Sequence, residues 1–189
     1  TEKKIVGGKN GFGFKLVLIW STVGTIETLD TSRGLKYTQR FENNLHEICK
    51  PTITSCKVKK PYTKIAFKLD YNRMGIDGLS DDMISWIKRR VYDLAAVTNK
   101  DVKVYFNDEL IPVKTFQQYI DMYIEPEDSY STIPKVYESN NPRWEYIVSL
   151  TPIGEFTHVS FVNGINTPKG GKHVEYILNQ ITRKMVDFI

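Results

Sequence analysis

The sequence is short of cysteine and histidine, and it has no long apolar run. Two cysteines, Cys49 and Cys56, in 189 residues cannot make a disulfide framework, so a reducing compartment is the default expectation. His46 stands three residues before Cys49, but zinc wants four ligands and no second pair exists, so no metal site is assigned. No stretch approaches the roughly 20 apolar residues of a membrane helix. Residues 17–20 are the densest run, and no membrane partner is expected. Internal repeats and low-complexity tracts are absent, which excludes solenoids and sticky linkers. There is no initiator Met and no signal-peptide pattern at Thr1-Glu2-Lys3-Lys4, and the chain stops at Phe188-Ile189 in mid-pattern. A piece of something larger is expected.

What is present is ordinary for a folded chain: 41% hydrophobic, 25% charged and 12% aromatic. Length allows one or two domains and by itself prefers one. The net charge of +4 is small but uneven. Residues 1–60 carry eleven basic and five acidic groups, whereas residues 115–158 carry two and seven. A basic first third suits an anionic ligand, although a solvated surface explains it equally well.

The pattern predicts mixed α and β structure. Residues 14–20 read as a buried helix after a glycine run. Residues 25–28, 35–41 and 63–70 read as strands, the last because Ile65, Phe67 and Leu69 alternate with Lys64, Ala66 and Lys68. Ser80 is a good N-cap, and Asp81 and Asp82 suit the first turn of a helix. Ile84, Ile87, Val91, Leu94 and Ala95 continue that helix to about Val97. Residues 101–113 read as a hairpin turning at Asn107-Asp108, and residues 116–124 as a short helix. An acidic loop at 125–132, strands at 144–150 and 156–163, a second glycine loop and a final helix through Val174, Ile177, Ile181 and Met185 follow.

The main chemical signal is Gly8-x-x-Gly11-x-Gly13-x-Lys15 before an apolar helix. Glycine frees the backbone for φ > 0 and for close ligand approach. Successive amides and a helix N-terminus can make a phosphate site, and Lys9 and Lys15 add charge; as pure pattern, a flexible turn is the alternative reading. Asn10 tolerates left-handed geometry and can hydrogen-bond locally. Two common phosphate motifs fail in detail. Walker A needs Lys after its last glycine, where Phe14 stands, and the dinucleotide fingerprint needs glycine where Leu16 stands.

Lys4-Ile5-Val6-Gly7-Gly8-Lys9-Asn10-Gly11-Phe12-Gly13-Phe14-Lys15-Leu16, with Ser21-Thr22 and Glu27-Thr28, resembles the ATP-binding glycine loop of eukaryotic-type type IIA DNA topoisomerases. The family writes it G-G-[RK]-N-G-[YF]-G-A-K-L, and Phe14 replaces the Ala. Arg89-Arg90-Val91-Tyr92-Asp93 and Lys100-Asp101-Val102-Lys103-Val104-Tyr105-Phe106-Asn107 are similar to the end of the same ATPase domain. Asn141-x-Arg143-Trp144-Glu145 and the block from Ser160 to His173 look like the transducer that follows. These motifs run in order across nearly the whole chain.

The resemblance implies an α+β fold: an incomplete Bergerat-type ATPase sandwich, of the gyrase, heat-shock chaperone, histidine-kinase and MutL class, followed by a ribosomal S5-like transducer. It implies ATPase residues at 1–124 and the first part of the transducer at 125–189. It implies that Gly8, Lys9, Asn10, Gly11, Phe12, Gly13, Phe14 and Lys15 cradle the ATP phosphates, with Lys15 the best direct charge contact. ATP and Mg2+ are the implied cofactors, and double-stranded DNA and a second copy of the chain are the implied partners. The implied activity of the whole protein is ATP-dependent passage of one duplex through a transient break in another. The alternative is a non-catalytic or degenerate ATP-binding interaction module of the same superfamily.

No catalytic residue is assigned within these residues. In the family the general base is a Glu and magnesium is held through an Asn, both before the glycine loop. A Gln-Thr-Lys loop and the DNA-cleaving Tyr come later. The 189 residues alone are therefore expected neither to hydrolyse ATP nor to cleave DNA. Gly170-Gly171-Lys172-His173 is read as a tight turn, with His173 capping the last helix or bonding to backbone. Lys57, Lys59, Lys60, Lys88, Arg89, Arg90, Arg183 and Lys184 are possible DNA-facing charges, none of them singled out. The implied location is the nucleus for a cellular protein, and the host cytoplasm or virion for that of a large DNA virus.

Overall fold

The computed structural model describes residues 7–8, 10–57, 60–124, 133–141, 143–151 and 154–189. Lys4-Ile5-Val6, Lys9, Lys59 and the acidic loop 125–132 lie outside them, as does the proposed junction after residue 124. The described chain is α+β and forms two compact units, residues 8–80 and residues 81–189 with 1–7.

The 8–80 unit opens with α1 (Phe12–Ile19) and continues into β1 (Ser21–Asp30) and β2 (Leu35–Glu42). Two short strands, β3 (Glu47–Ile48) and β4 (Thr52–Ser55), both pair with β2. β5 (Tyr62–Leu69) and the single turn of α2 (Tyr71–Met74) complete the unit. The sheet order is β3-β2-β1-β5, all antiparallel, with β1 flanked on both sides. β-branched and aromatic residues favour these strands. Across β1, Glu27 takes an ion pair from Lys36 at 2.7 Å and a hydrogen bond from the Tyr62 hydroxyl at 2.5 Å. The Lys36 contact first, and then Tyr62, hold the Glu27 carboxyl below its ordinary range.

α1 is not the buried helix its composition suggests. Leu18 alone is buried, at 4% exposure, while Phe12 is 62% exposed. One face of the helix packs on the sheet, and Gly24 makes the seat. A Cβ at Gly24 would stand 2.2 Å from Leu18 Cδ2. The missing side chain is the space that Leu18 fills.

Asp70 organises the end of this unit. As the N-cap of α2 it accepts the Arg73 amide at 3.0 Å, and it takes the Asn44 side-chain amide at 3.1 Å. Asn44 sits in a turn of three consecutive positive φ values: Asn43 at 51°, Asn44 at 56° and Leu45 at 68°.

The second unit holds α3 (Asp81–Val97), the hairpin β6 (Tyr105–Phe106) and β7 (Glu109–Leu110), and α4 (Phe116–Ile124). Then come the hairpin β8 (Lys135–Asn141) and β9 (Trp144–Ser149), the hairpin β10 (Phe161–Val162) and β11 (Ile165–Asn166), and α5 (Lys172–Phe188). α3 and α4 fall where the periodicity places them. The strand expected at 156–163 is only Phe161–Val162. The Asn163-Gly164 turn, at φ 50° and 79°, folds it straight back onto β11. Left-handed pairs suit two-residue hairpins, and Asn107-Asp108, at 49° and 63°, makes another.

Ala95, Ala96, Ile111, Val113 and Tyr119 form the core of this unit, with Phe106, Phe116, Val159 and Phe161 packed against it. Tyr119 is 1% exposed and Asp93 4%. The Tyr119 hydroxyl donates to Asp93, whose other oxygen pairs with Arg90 at 2.6 Å. A buried carboxylate is tolerated only when paired and hydrogen-bonded in this way. Burial first, then the Asp93 hydrogen bond, pushes the Tyr119 hydroxyl well above its ordinary value of 10.0.

Two tests follow from this packing. Gly24→Ala drives Leu18 off its seat and costs about 1–3 kcal/mol in urea unfolding. In a Leu18→Ala background most of that penalty disappears, and a penalty that stays unchanged would show that the seat is misplaced. For Tyr119, a raised folded pKa means stability fully present below pH 10 and lost as pH rises beyond it. Tyr119→Phe costs about 1–3 kcal/mol at neutral pH. It also removes part of the alkaline loss, so the wild-type and variant stability curves converge as pH rises above 10.

Candidate functional site

The glycine run ends on the N-terminus of α1. Gly11 is the N-cap, at φ 69° and ψ 11°. This is the left-handed region, which glycine enters without cost and other residues do not. It is Gly11, not Asn10, that takes the left-handed position, and the Asn10 side chain makes no hydrogen bond among the described residues. The first amides of any helix have no intrahelical partner. Here no side chain among the described residues caps them. They carry the positive end of the helix dipole and face the end of a glycine loop.

The other glycines show what the loop is shaped for. A Cβ at Gly8 or Gly13 would meet nothing within 4 Å. Packing inside the chain does not demand glycine at either position. A ligand that must approach the backbone closely would. The bare amides, the uncapped helix end and the open space over Gly8 and Gly13 fit an anion of phosphate size.

Lys15 lies in the first turn of α1 and is exposed. Its ammonium sits 5.9 Å from the centre of the Phe12 ring and makes no ion pair among the described residues. The lysine thus lies within the first turn of the helix whose N-terminal amides follow the glycine loop. Phe14 is half-buried beside it. Of the eight expected cradle residues, Gly8, Asn10, Gly11, Phe12, Gly13, Phe14 and Lys15 are thus on one loop and the first turn of its helix. Lys9 lies outside the described residues.

The second glycine loop has a different construction. Gly170 at φ 69° and Gly171 at φ 147° form the expected tight turn into α5. His173 does not cap the helix and does not bond to backbone. Its Nε2 lies 3.1 Å from the Thr167 hydroxyl, which is 2.7 Å from the Ser160 hydroxyl. Ser160 also donates to the Thr167 carbonyl at 3.1 Å. A Cβ at Gly170 would stand 3.2 Å from the His158 ring. The loop is closed by its own hydrogen bonds, because the short β10–β11 hairpin brings Ser160 and Thr167 face to face.

Among the basic residues named above, Arg90 is engaged by Asp93 and lies 5.0 Å from the centre of the Trp86 ring. Arg89 lies 5.9 Å from the Tyr123 ring. Lys57, Lys60, Lys88, Arg183 and Lys184 are exposed. The seat of Leu18 on Gly24 and the bond from the Ser21 hydroxyl to the Val17 carbonyl at 2.6 Å, which fix α1 beneath the loop, were not readable from the glycine motif. A small residue amid a β-branched run was the only sign of Gly24.

Comparison with known proteins gives one consistent answer. The family described as DNA gyrase B matches residues 115–189. The chain is 44% identical over 187 residues to DNA topoisomerase 2 of Arabidopsis thaliana, covering 97% of this chain and 13% of the plant protein. It is 44% identical over 183 residues to DNA topoisomerase 2 of Acanthamoeba polyphaga mimivirus, covering 96% of this chain and 14% of that protein. The crystal structure of the ATPase region of Saccharomyces cerevisiae topoisomerase II superposes with a TM-score of 0.88 at 39% identity, over 99% of this chain and 48% of that one. The ATPase and transducer domains of the Balamuthia mandrillaris enzyme give 0.88 at 38%, over 98% and 46%. The chain thus spans about half of the solved ATPase regions and about an eighth of the full-length relatives.

The loop geometry separates two glycines by their effect on folding. Gly11→Ala must place a Cβ at φ 69° and costs about 1 kcal/mol or more. Gly13→Ala adds a side chain into open space within a helix, and stabilises by roughly 0.5–1 kcal/mol. Thermal unfolding of the two variants should shift in opposite directions.

Proposed function

This chain is a homologue of part of the ATPase region of DNA topoisomerase 2, and we propose that its glycine loop binds the phosphates of ATP for a type II topoisomerase reaction. The observation that carries the reading is the uncapped N-terminus of α1 behind Gly11, with open space over Gly8 and Gly13 and a free Lys15.

The mechanism rests on these residues. The amides of Gly11 to Phe14 supply donors to phosphate oxygens, and the helix dipole favours the charge they bring. Lys15 adds a mobile cation that follows the phosphates as they settle. ATP supplies the phosphoryl bond whose cleavage is used elsewhere in the protein. Mg2+ would accompany it, held through an Asn as the resemblance implies. With nucleotide bound, the glycine loop would close as a lid, and two copies of the protein would close as a clamp. Closure is favoured only as far as ATP binds the closed form more tightly than the open one. The segment after residue 124 would relay closure towards the DNA, so that one duplex passes through a break in another. DNA contacts, the homodimer and a nuclear or viral setting belong to the same proposal. The second reading, a non-catalytic ATP-binding module, is disfavoured by the intact Gly8, Gly11, Gly13 and Lys15.

The test uses the full-length protein and supercoiled DNA. Relaxation is expected with ATP and not without it. Lys15→Ala should raise the KM for ATP by about tenfold, the loss of one charged hydrogen bond at about 1.5 kcal/mol. ATP-independent relaxation, or an unchanged KM in Lys15→Ala, would reject the assignment of this loop.

A further inference from the structure

The far end of α1 carries a second, unassigned device. A helix leaves its last carbonyls without intrahelical donors. In α1 the Val17 carbonyl accepts from the Ser21 hydroxyl at 2.6 Å, and the Trp20 carbonyl accepts from the Asp70 amide at 2.9 Å. The Ile19 carbonyl accepts from Arg73 Nη1 at 3.0 Å. The same guanidinium lies 4.8 Å from the centre of the Trp20 ring. Its backbone is fixed as well, because the Arg73 amide donates to the Asp70 carboxylate, and Asp70 is held in turn by Asn44.

Arg73 therefore grips α1 twice, once through a carbonyl and once through an aromatic face. Both contacts join residues 54 or so positions apart in sequence. A cation at a helix C-terminus also compensates the negative end of the dipole. α1 is only eight residues long, about 12 Å by the usual rise per residue. A helix so short moves as one rod, so tilting its last turn displaces its first. Leu18, seated on Gly24, is the one buried side chain of α1 and holds its middle, so the tilt of the rod is left to the contacts at its ends.

We infer that Arg73 is a positioning residue for nucleotide binding: by clamping the C-terminal end of α1 it sets where the amides of the glycine loop present themselves to phosphate. This rests on the reading of that loop as the ATP site. Among the described residues Arg73 contacts Asp70, Ile19 and Trp20 and none of the loop, so its action on ATP is carried by the rod between them. Bound phosphate oxygens are met by the same amides in ground state and transition state. Misplacing those amides removes uniform binding, which raises KM and spares kcat.

The experiment is ATP hydrolysis by the full-length protein with DNA. Arg73→Met keeps an apolar body beside Trp20 and deletes the charge and the donor. It should raise the KM for ATP by about tenfold with kcat within twofold, the size of one charge-assisted hydrogen bond. Arg73→Lys keeps cation and donor, and should return KM to within about threefold of wild type. A merely structural Arg73 would lower the melting temperature and the active fraction while leaving KM unmoved, and that result overturns the inference. Where Arg73→Met does not fold, Arg73→Gln, which keeps a neutral donor, decides in the same way. Lys15→Ala is run beside them. If Lys15→Ala raises KM and Arg73→Met does not, the positioning role fails alone. If neither does, the reading of the loop has failed.

Discussion

Carbonyls at the C-terminal end of a helix need donors from outside the helix, and the position of the glycine loop depends on where α1 finds them. They come from Ser21, which starts β1, and from Asp70 and Arg73, which follow β5. β1 and β5 are hydrogen-bonded neighbours in the sheet. The sheet thus delivers the donors to one place, and α1 is anchored at the end remote from the glycine loop. The N-terminal amides are left bare. An unsatisfied helix end is ordinarily a liability. Here the glycine loop leads into it, while the opposite end is satisfied.

The second unit solves a related problem with different means. Its core includes a carboxylate, Asp93, that must not be left unpaired. Tyr119 and Arg90 supply hydrogen bond and charge from opposite sides. Tyr119 also stacks edge-on with Tyr123 at 5.2 Å and with Phe161 at 6.0 Å. A single side chain thereby ties α3, α4 and β10 together. The polar contact fixes the orientation of the ring, and the aromatic contacts fix its neighbours.

Much of this was legible in the sequence, for reasons that differ by element. α3 and α4 carry apolar residues at helical spacing, and Asp81 and Asp82 mark where α3 begins, so local periodicity sufficed. β5 alternates, and Asn107-Asp108 announces a turn. The glycine run was legible as the segment that leads into α1, because glycine permits the left-handed entry at Gly11. β8 was not, since Lys135–Asn141 carries only Val136 and Tyr137 as large apolar residues, side by side rather than alternating, and becomes a strand by pairing with β9. The strand expected at 156–163 was too long, because a sequence pattern says nothing about where a partner strand ends. His173 was misread for a similar reason: its partner, Thr167, is set by a turn geometry that no spacing encodes. Arg73 was invisible, as nothing near it in sequence points to Ile19 or Trp20.

The division of the outer edge of β2 between two short strands has a consequence for self-association. A long, flat, unpaired strand is a template on which further chains can assemble. β3 and β4 are two and four residues long, too short to offer a continuous ladder. The opposite edge, β5, is eight residues long and exposes Ile65 and Phe67. Lys64 and Lys68 lie on the same strand, and a second copy aligned there would bring like charges together. The sheet is thus guarded by brevity on one side and by electrostatic repulsion on the other, and the second guard weakens as salt rises.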